Sequence, residues 1–135
     1  MLINQKRIIV ILVLISVFLV ACTPKYVLQD EIYSKVAGVT FENEDGVNRQ
    51  ELLSELSSGE ELELRLEPEN RYDKNAVEIY SSLGKIGYIN RELAPYISTL
   101  INEDVRVDVV VSEITGGGPS LFYGCNIKIS IYDKS

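Results

Sequence analysis

The amino-acid sequence predicts a mainly β fold: a small barrel, closed or nearly closed, with two helices inserted between its strands. Short segments rich in β-branched and aromatic residues recur along the chain, and turn or loop residues separate most of them. One segment, ELELRLE at 61–67, alternates leucine with charged residues throughout. This alternation indicates a strand with one face in the core and the other in water. A length of 135 residues suits one domain together with its termini.

The same patterns assign each strand in chain order. Six strands are expected, at 32–41, 61–67, 76–80, 86–89, 105–114 and 121–132. Gly38 inside the first strand is expected to form a bulge, and Pro68 ends the second. The segment TGGGPS at 115–120 joins the last two strands as a flexible tip. Phe122 falls on the face opposite the isoleucines of the last strand, so it is expected to point to water unless Gly124 shifts the register.

Two further segments carry the signals of helices. The segment 48–57 begins with an asparagine that can cap a helix, has Glu51 three positions later as in a capping box, and presents one leucine stripe. Its charged residues Arg49, Glu51 and Glu55 are expected on a solvated face. The second helix is expected at 95–102, because the proline at its start is tolerated only in the first turn.

Composition excludes several classes of function. The formal charge is −7, from 13 basic and 20 acidic residues. Because two of the basic residues lie before position 22, the rest of the chain carries a formal charge of −9. This negative charge disfavours non-specific electrostatic binding to nucleic acid. The chain has no histidine, so a hydrolase built on a Ser-His or Cys-His pair is excluded. The acidic turn at 42–46 lacks the oxygen spacing of a calcium loop, and neither a metal nor a cofactor is expected.

The first 22 residues have the features of an export signal. Lys6 and Arg7 precede an apolar run at 8–21, and LVAC at 19–22 resembles the lipobox of bacterial lipoproteins. The run is short for an uncleaved transmembrane helix, since as a helix it is roughly 22 Å long, whereas the hydrocarbon core of a membrane is about 30 Å thick. The resemblance implies cleavage before Cys22 and diacylglycerol on its thiol. The alternatives are an ordinary secretory signal and a short uncleaved anchor.

The expected organisation follows from this reading. Residues 1–21 form the signal peptide, 22–31 a lipidated tether without regular structure, and 32–132 the folded domain. The protein is then expected at a bacterial cell membrane, lipid-anchored on the extracytoplasmic side. With Cys22 alkylated no disulfide forms, and Cys125 is expected to be a small buried apolar residue.

The stretch Gly59–Ile97 carries several short motifs in a specific order. They are the alternation ending in EP at 67–68, YDKNAV at 72–77, IGYI at 86–89 and RELA at 91–94. In this order they resemble the HIRAN domain, which occurs fused to helicases and alone in bacterial proteins. The resemblance implies an OB-like β-barrel of about six strands with two helices. For the helicase-linked members it implies binding of the 3′ end of single-stranded DNA.

The resemblance also assigns residues to a site. The loop of the family's pocket supplies an Asn, a Tyr and an Asp, which match Asn70, Tyr72 and Asp73. Arg91 occupies the place of a basic residue that contacts phosphate. Phe122 is the best match for an aromatic residue that stacks on a base.

The chain departs from the family's pattern at two places. Ser34 and Lys35 stand where the helicase-linked members have an Arg-Tyr pair, so one stacking ring is missing, and Tyr88 replaces a histidine contact. A local cationic cluster could still offset the acidic background. Its members would be Lys35, Arg71, Lys74 and Arg91.

Two readings of the loop NRYDKNA at 70–76 remain open. In one, Asp73 accepts a terminal 3′-hydroxyl and Tyr72 stacks on a base. In the other, Asp73 and Asn75 bond their own backbone to close the loop, while Tyr72 covers the core. Both roles can hold together.

The expected function is a membrane-anchored, non-catalytic module that binds single-stranded DNA 3′ ends. The alternative is an envelope lipoprotein that uses the barrel to bind a protein, a peptide or a cell-wall glycan. An enzyme is not expected, because the sequence contains no visible pairing of nucleophile and base and no metal cluster.

Overall fold

The computed structural model describes residues 25–119 and 121–134. This part of the chain forms six strands and two helices, which confirms the predicted fold class. In chain order they are β1 Tyr26–Lys35, α1 Arg49–Ser54, β2 Glu61–Leu66, β3 Val77–Ser81, β4 Gly84–Tyr88, α2 Ala94–Asn102, β5 Arg106–Thr115 and β6 Gly124–Lys134. The strands form one antiparallel sheet in the order β1-β6-β5-β2-β3-β4.

The two residues after β1 join the ends of this sheet. The Val36 amide donates to the Cys125 carbonyl in β6 at 2.9 Å, which continues the pairing of β1. Ala37 then exchanges two backbone hydrogen bonds with Tyr88 at the end of β4, at 2.8 and 2.9 Å. The next residue, Gly38, turns the chain away with φ of 74°. The sheet therefore closes on itself at this point, as in a small barrel.

The core lies inside the curved sheet. Side chains from β3, β4, β5, β6 and both helices fill it, and the leucines of β2 pack against it as the alternation predicts. The largest fully buried aliphatic side chains are Leu53, Val77, Ile79, Ile86, Ile97, Val111, Ile127 and Ile129. Cys125 is 2% exposed, which confirms that it is a buried apolar residue. Burial raises the pKa of its thiol to about 11, so the thiolate is scarce at neutral pH.

The start of the folded domain differs from the prediction. β1 begins at Tyr26, within the segment expected as an irregular tether, and pairs Tyr26, Val27 and Leu28 with the end of β6. The sequence pattern missed this half of the strand because both of its faces are exposed, so no alternation of polar and apolar residues marks it. The expected signal peptide and Cys22 lie outside the described residues. None of the helices in the described ranges has the length and apolar character that crossing a membrane requires.

The first helix is shorter than predicted and buries one of its charges. Asn48 caps it as expected, accepting a hydrogen bond from the Gln50 amide at 2.9 Å. Glu51 and Glu55 are exposed as predicted, but the expectation for Arg49 was wrong, since that residue is only 5% exposed. The reason is tertiary: the loop at 38–47 folds over the guanidinium and supplies acceptors for it.

β1 ends at Lys35 rather than at residue 41, so the bulge expected at Gly38 was wrong, because Gly38 lies in the loop after the strand. The remaining boundaries lie close to their predicted positions, with one consequence for Phe122. α2 has its proline in the first turn, as expected. β6 begins at Gly124, so Phe122 lies in the connection before the strand rather than on a strand face. It is exposed there, and its carbonyl oxygen packs against Gly116.

Candidate functional site

The loop between β2 and β3 is built on two side-chain caps. The Asn70 Oδ1 atom accepts hydrogen bonds from the amides of Tyr72 at 2.9 Å and Asp73 at 3.0 Å. The Asp73 Oδ1 atom accepts one from the Asn75 amide at 2.9 Å. This is the backbone-bonding role that the sequence left open for Asp73. The Tyr72 side chain does not cover the core, because it is 83% exposed.

Asp73 keeps capacity for a ligand. Its second oxygen, Oδ2, accepts no hydrogen bond within the described part of the chain. A carboxylate with one oxygen held by the backbone and the other unused is fixed in orientation and still able to accept a donor. Bonding to its own backbone and accepting a ligand are therefore compatible roles for Asp73 in this geometry.

Closure of the barrel brings this loop against the end of β4. A cavity of about 230 Å³ opens there, and we call it the terminal pocket. Its lining residues are Ala37, Asn70, Tyr72, Asp73, Ala76, Tyr88, Ile89 and Arg91. Five of the residues that the sequence singled out thus meet in one cavity. Ala37 and Tyr88 are side by side because of the backbone bridge between them.

A second cavity, which we call the adjoining groove, measures about 730 Å³ and shares part of the same wall. It is lined by Ala37, Gly38, Phe41, Glu44, Arg49, Glu67, Glu69, Asn70, Arg71, Tyr72, Tyr88 and Arg91. Arg71 and Arg91 are exposed. Neither makes a hydrogen bond or ion pair inside residues 25–119 and 121–134, so both remain available to an anion.

Three residues from the predicted site or cationic cluster lie elsewhere. Lys35 is exposed at the end of β1, opposite Asn126 of β6. Lys74 is exposed in the β2–β3 loop, and Phe122 in the β5–β6 connection. Neither the terminal pocket nor the adjoining groove is lined by any of the three. The expected cationic cluster is therefore reduced to Arg71 and Arg91 around the groove.

Glu67 connects the loop to β4. Its Oε2 atom accepts hydrogen bonds from the Tyr88 hydroxyl at 2.8 Å and from the Asn70 side-chain amide at 3.2 Å. Lys85 donates to the same Tyr88 oxygen at 3.2 Å and forms an ion pair with Glu78 at 3.1 Å. These bonds hold the Tyr88 ring in the wall that the two cavities share.

The protonation states in this network are set by burial and hydrogen bonding. Burial raises the pKa of the Tyr88 hydroxyl, and the hydrogen bond to Glu67 raises it further, so Tyr88 is a donor at neutral pH. Burial alone would lower the pKa of the Lys85 ammonium. The hydrogen bonds to Tyr88 and Glu78 outweigh that effect and raise the pKa, so Lys85 stays cationic.

Comparison with known proteins identifies the family. A family model described as the HIRAN domain matches residues 29–132. The chain belongs to the HIRAN domain family. A comparison with curated proteins found no match.

Solved structures share the fold of this HIRAN domain. The HIRAN domain of human HLTF is 20% identical, with a TM-score of 0.62, over 82% of this chain and 81% of that chain. A protein from Lactobacillus plantarum is 21% identical, with a TM-score of 0.58, over 79% of this chain and 98% of that chain. The HLTF HIRAN domain in its DNA-bound conformation is 19% identical, with a TM-score of 0.53, over 82% and 81% of the two chains.

Sequence reasoning missed three residues around the cavities of this HIRAN domain. Arg49 was assigned to a solvated face, Phe41 was placed only as the last residue of a strand, and Glu67 only as the end of an alternation. Glu67 did carry a signal, because it stands at the EP that closes β2 and opens the loop. No local pattern marks Phe41 or Arg49, since the loop that places them is positioned by contacts distant in sequence.

Proposed function

We propose that this HIRAN domain is a non-catalytic module that binds the 3′ end of single-stranded DNA in the terminal pocket. Asp73 accepts the terminal 3′-hydroxyl through its unused Oδ2 atom, and Tyr72 stacks on the terminal base. Arg91 contacts the backbone phosphate. The observation that carries the proposal is the meeting of these three side chains in one cavity with the Tyr72 ring exposed.

Two further points support this function. A cavity of about 230 Å³ lies below the roughly 300–1,000 Å³ typical of small-molecule sites, which suits the end of a strand rather than a longer run. The HLTF HIRAN domain, whose fold is similar, has been solved in a DNA-bound conformation. Within residues 25–119 and 121–134, the exposed basic residues that line the two cavities are Arg71 and Arg91. Few counterions are therefore released on binding, and the salt dependence of the affinity should be shallow.

The test compares a single-stranded oligonucleotide that has a free 3′-hydroxyl with one that lacks it. We expect a fragment of residues 23–135 to prefer the free end, and Asp73→Asn to lower affinity for that end about 10- to 100-fold, as for loss of a hydrogen bond to a charged group. Asn retains an Oδ1 acceptor for the Asn75 amide, so the loop is preserved. Fluorescence anisotropy with a 5′-labelled strand measures the effect.

Asp133→Asn is the matched control, because Asp133 is exposed on β6 and lines neither cavity. It changes the net charge by the same amount and should leave affinity unchanged. Equal affinity of the wild type for free and blocked ends would contradict the proposed role of Asp73. Absence of binding at low salt would reject the whole assignment.

A second candidate is recognition of a protein, a peptide or a cell-wall glycan on the same surface. Glu44, Glu67 and Glu69 in the wall of the adjoining groove favour it. The charge of −9 after residue 21 also weakens attraction to a polyanion. Aromatic rings such as Tyr72 serve these ligands as well. A fragment that fails to bind any oligonucleotide yet binds peptidoglycan or an envelope protein would establish this candidate.

We further propose that a lipid on Cys22 anchors the domain to the outer side of a bacterial cytoplasmic membrane. Two acyl chains give stable anchoring, at about 0.8 kcal/mol for each buried methylene. In cells fed labelled palmitate, the wild type should carry the label and Cys22→Ala should not. Cys125→Ala is the control and should keep the label. An unlabelled wild type, or a labelled Cys22→Ala, would overturn the anchor.

A further inference from the structure

β1 begins too close to Cys22 for a lipid on that residue to leave the domain clear of the membrane. The sequence pattern predicted a tether through residue 31, whereas β1 starts at Tyr26 and leaves only residues 22–25 for it. Four residues span at most about 14 Å even when the chain is fully extended. The polar region of one leaflet is itself roughly 5–8 Å thick. The start of β1 is therefore held at the lipid headgroups or just beyond them.

The surface at this end of β1 is apolar. Tyr26, Val27 and Leu28 are 38%, 47% and 47% exposed, and none of them belongs to the hydrophobic core. Among the exposed large apolar side chains of residues 25–119 and 121–134, no other three are consecutive in the chain. Neighbouring side chains of a strand point to opposite faces, so the run is apolar on both faces. Single exposed apolar residues are common, but a contiguous run indicates a contact surface.

Aromatic and cationic side chains flank the run. The Arg106 guanidinium lies 4.9 Å from the ring centroids of both Tyr26 and Tyr132, and Tyr132 lies opposite Leu28 in the β1–β6 pairing. Tyrosine rings and long cationic side chains have an apolar body and a polar end, which suits the boundary between headgroups and acyl chains. The residues at this end of the sheet therefore match a membrane interface.

The charges limit the contact to the start of the strand. Lys25 precedes the run and Lys134 lies opposite its first residue, and both are exposed cations. Asp133, opposite the second residue, offsets one of them, so attraction to anionic lipids is small and the apolar run carries the contact. Asp30 and Glu31 are the next charged residues along β1, and both are exposed. An anionic leaflet repels carboxylates, so the contact ends before them.

We propose that Tyr26–Leu28 is a membrane-contact surface, which inserts into the headgroup region of the bilayer that carries the lipid anchor. This contact rests on the proposed lipid on Cys22, since three exposed side chains bind a membrane only weakly by themselves. A short tether raises their effective concentration at the bilayer to roughly the millimolar range, where weak apolar contacts suffice. The contact goes beyond anchoring because it fixes which end of the domain faces the membrane.

A second copy of the chain is the other occupant that this edge of the sheet admits. Among the described residues β1 pairs along its length only with β6, and an unpaired outer edge can add a strand. A register shift between Leu28 and Asp30 interrupts that edge, and such bulges oppose strand addition. Lipid is therefore favoured over a second copy.

A single tryptophan tests the contact. The chain contains no tryptophan, so Leu28→Trp introduces one into the run. The lipidated protein is extracted from membranes and reconstituted into vesicles of phosphatidylcholine and phosphatidylglycerol, with and without bromine on the acyl chains. We expect brominated lipids to lower the emission about twofold or more, as for a side chain at the boundary of headgroups and acyl chains.

Tyr33→Trp is the matched control. Tyr33 is 68% exposed on the same strand and lies five residues after Leu28. This places it roughly 16 Å further along the strand, beyond the two carboxylates. Brominated lipids should leave its emission unchanged.

A longer tether separates contact from mere proximity. About ten glycine and serine residues inserted between Lys25 and Tyr26 would let the domain move away from the bilayer. Quenching of the Leu28→Trp indole should persist in that variant, and it should be lost when Tyr26→Ser and Val27→Ser are added. Loss of quenching on lengthening alone would show that the surface has no affinity for the bilayer.

The outcomes separate this contact from the lipid anchor. A wild type that carries no palmitate label overturns both. A labelled protein whose Leu28→Trp indole is not quenched keeps the anchor and overturns the contact alone. Equal quenching of the Leu28→Trp and Tyr33→Trp indoles would overturn the confinement of the contact to the start of β1. An unquenched Leu28→Trp indole together with a dimer in chemical cross-linking would assign the run to a second copy instead.

Discussion

Replacing Gly87 with alanine is expected to lower the free energy of unfolding by about 3 kcal/mol or more. A Cβ atom at this position would overlap the Ala37 carbonyl oxygen and lie 2.6 Å from the Val36 Cγ1 atom. Two of the three nearest atoms belong to the Ala37 backbone, so rotation of a side chain cannot relieve the overlap. The backbone φ of 156° adds to the cost for a residue with a side chain. The overlap can be relieved only if β4 separates from residues 36–37, and this separation opens the barrel where the two ends of the sheet meet.

Urea unfolding of the fragment of residues 23–135 measures this effect, because all the strands and helices of the structure lie within it. Gly118→Ala is the matched control. Among the residues that the structure describes, a Cβ there would meet only the Leu121 side chain at 3.8 Å, an ordinary contact, so stability should change by less than about 0.5 kcal/mol. Equal stability of the Gly87 variant and the wild type would show that the barrel does not depend on this close approach.

The same substitution is expected to affect ligand binding. The backbone bridge between Ala37 and Tyr88 places both residues in the terminal pocket. Separating the two strands enlarges the pocket and frees the Tyr88 ring. Any affinity for a strand end should fall together with stability.

Arg49→Met is expected to destabilise the domain by about 2–3 kcal/mol. Methionine replaces the apolar stem of the arginine side chain but leaves the Gly38 carbonyl and the Asn43 side-chain oxygen without their guanidinium donors. Each unsatisfied buried acceptor costs about 1–3 kcal/mol, and apolar packing of the methionine recovers part of the loss. The loop at 38–47 should become the least protected part of the domain in hydrogen exchange.

Arg71→Met is the control for this prediction. Arg71 is exposed and makes no hydrogen bond or ion pair with any residue the structure describes, so the same substitution there should change stability by less than about 0.5 kcal/mol. Thermal unfolding of the three proteins side by side compares them. If Arg49→Met were as stable as Arg71→Met, the buried guanidinium would contribute nothing to the fold, as the amphipathic pattern of the helix implies.

Local sequence patterns predicted the elements well where one face of each element is buried. β2 alternates because its leucines face the core, and α2 has its proline in the first turn because that residue is tolerated only there. The first half of β1 was missed because neither of its faces is buried. Arg49 was misassigned because helical periodicity describes the helix alone and contains no information about the loop that covers it.

In the candidate site, too, residues that are close together in sequence were predicted, and a residue brought in by tertiary structure was missed. Asn70, Tyr72 and Asp73 lie close together in sequence, so a motif could identify them as a group. Tyr88 and Arg91 join them through the hairpin that follows. Phe41 reaches the same surface only because the barrel closes and the loop after Gly38 folds back over β4, which no short motif encodes.

The amino-acid sequence by itself determined the mainly β class, the order of strands and helices, and the HIRAN family, because each depends on residues close together in the chain. The tertiary structure alone decided which side chains share a wall: Phe41 and Arg49 enter it, whereas Lys35 and Phe122 stay outside. The physical reason is that barrel closure rests on two backbone hydrogen bonds between Ala37 and Tyr88. Backbone pairing between distant residues leaves almost no mark on side-chain composition, apart from the glycine that makes room for it.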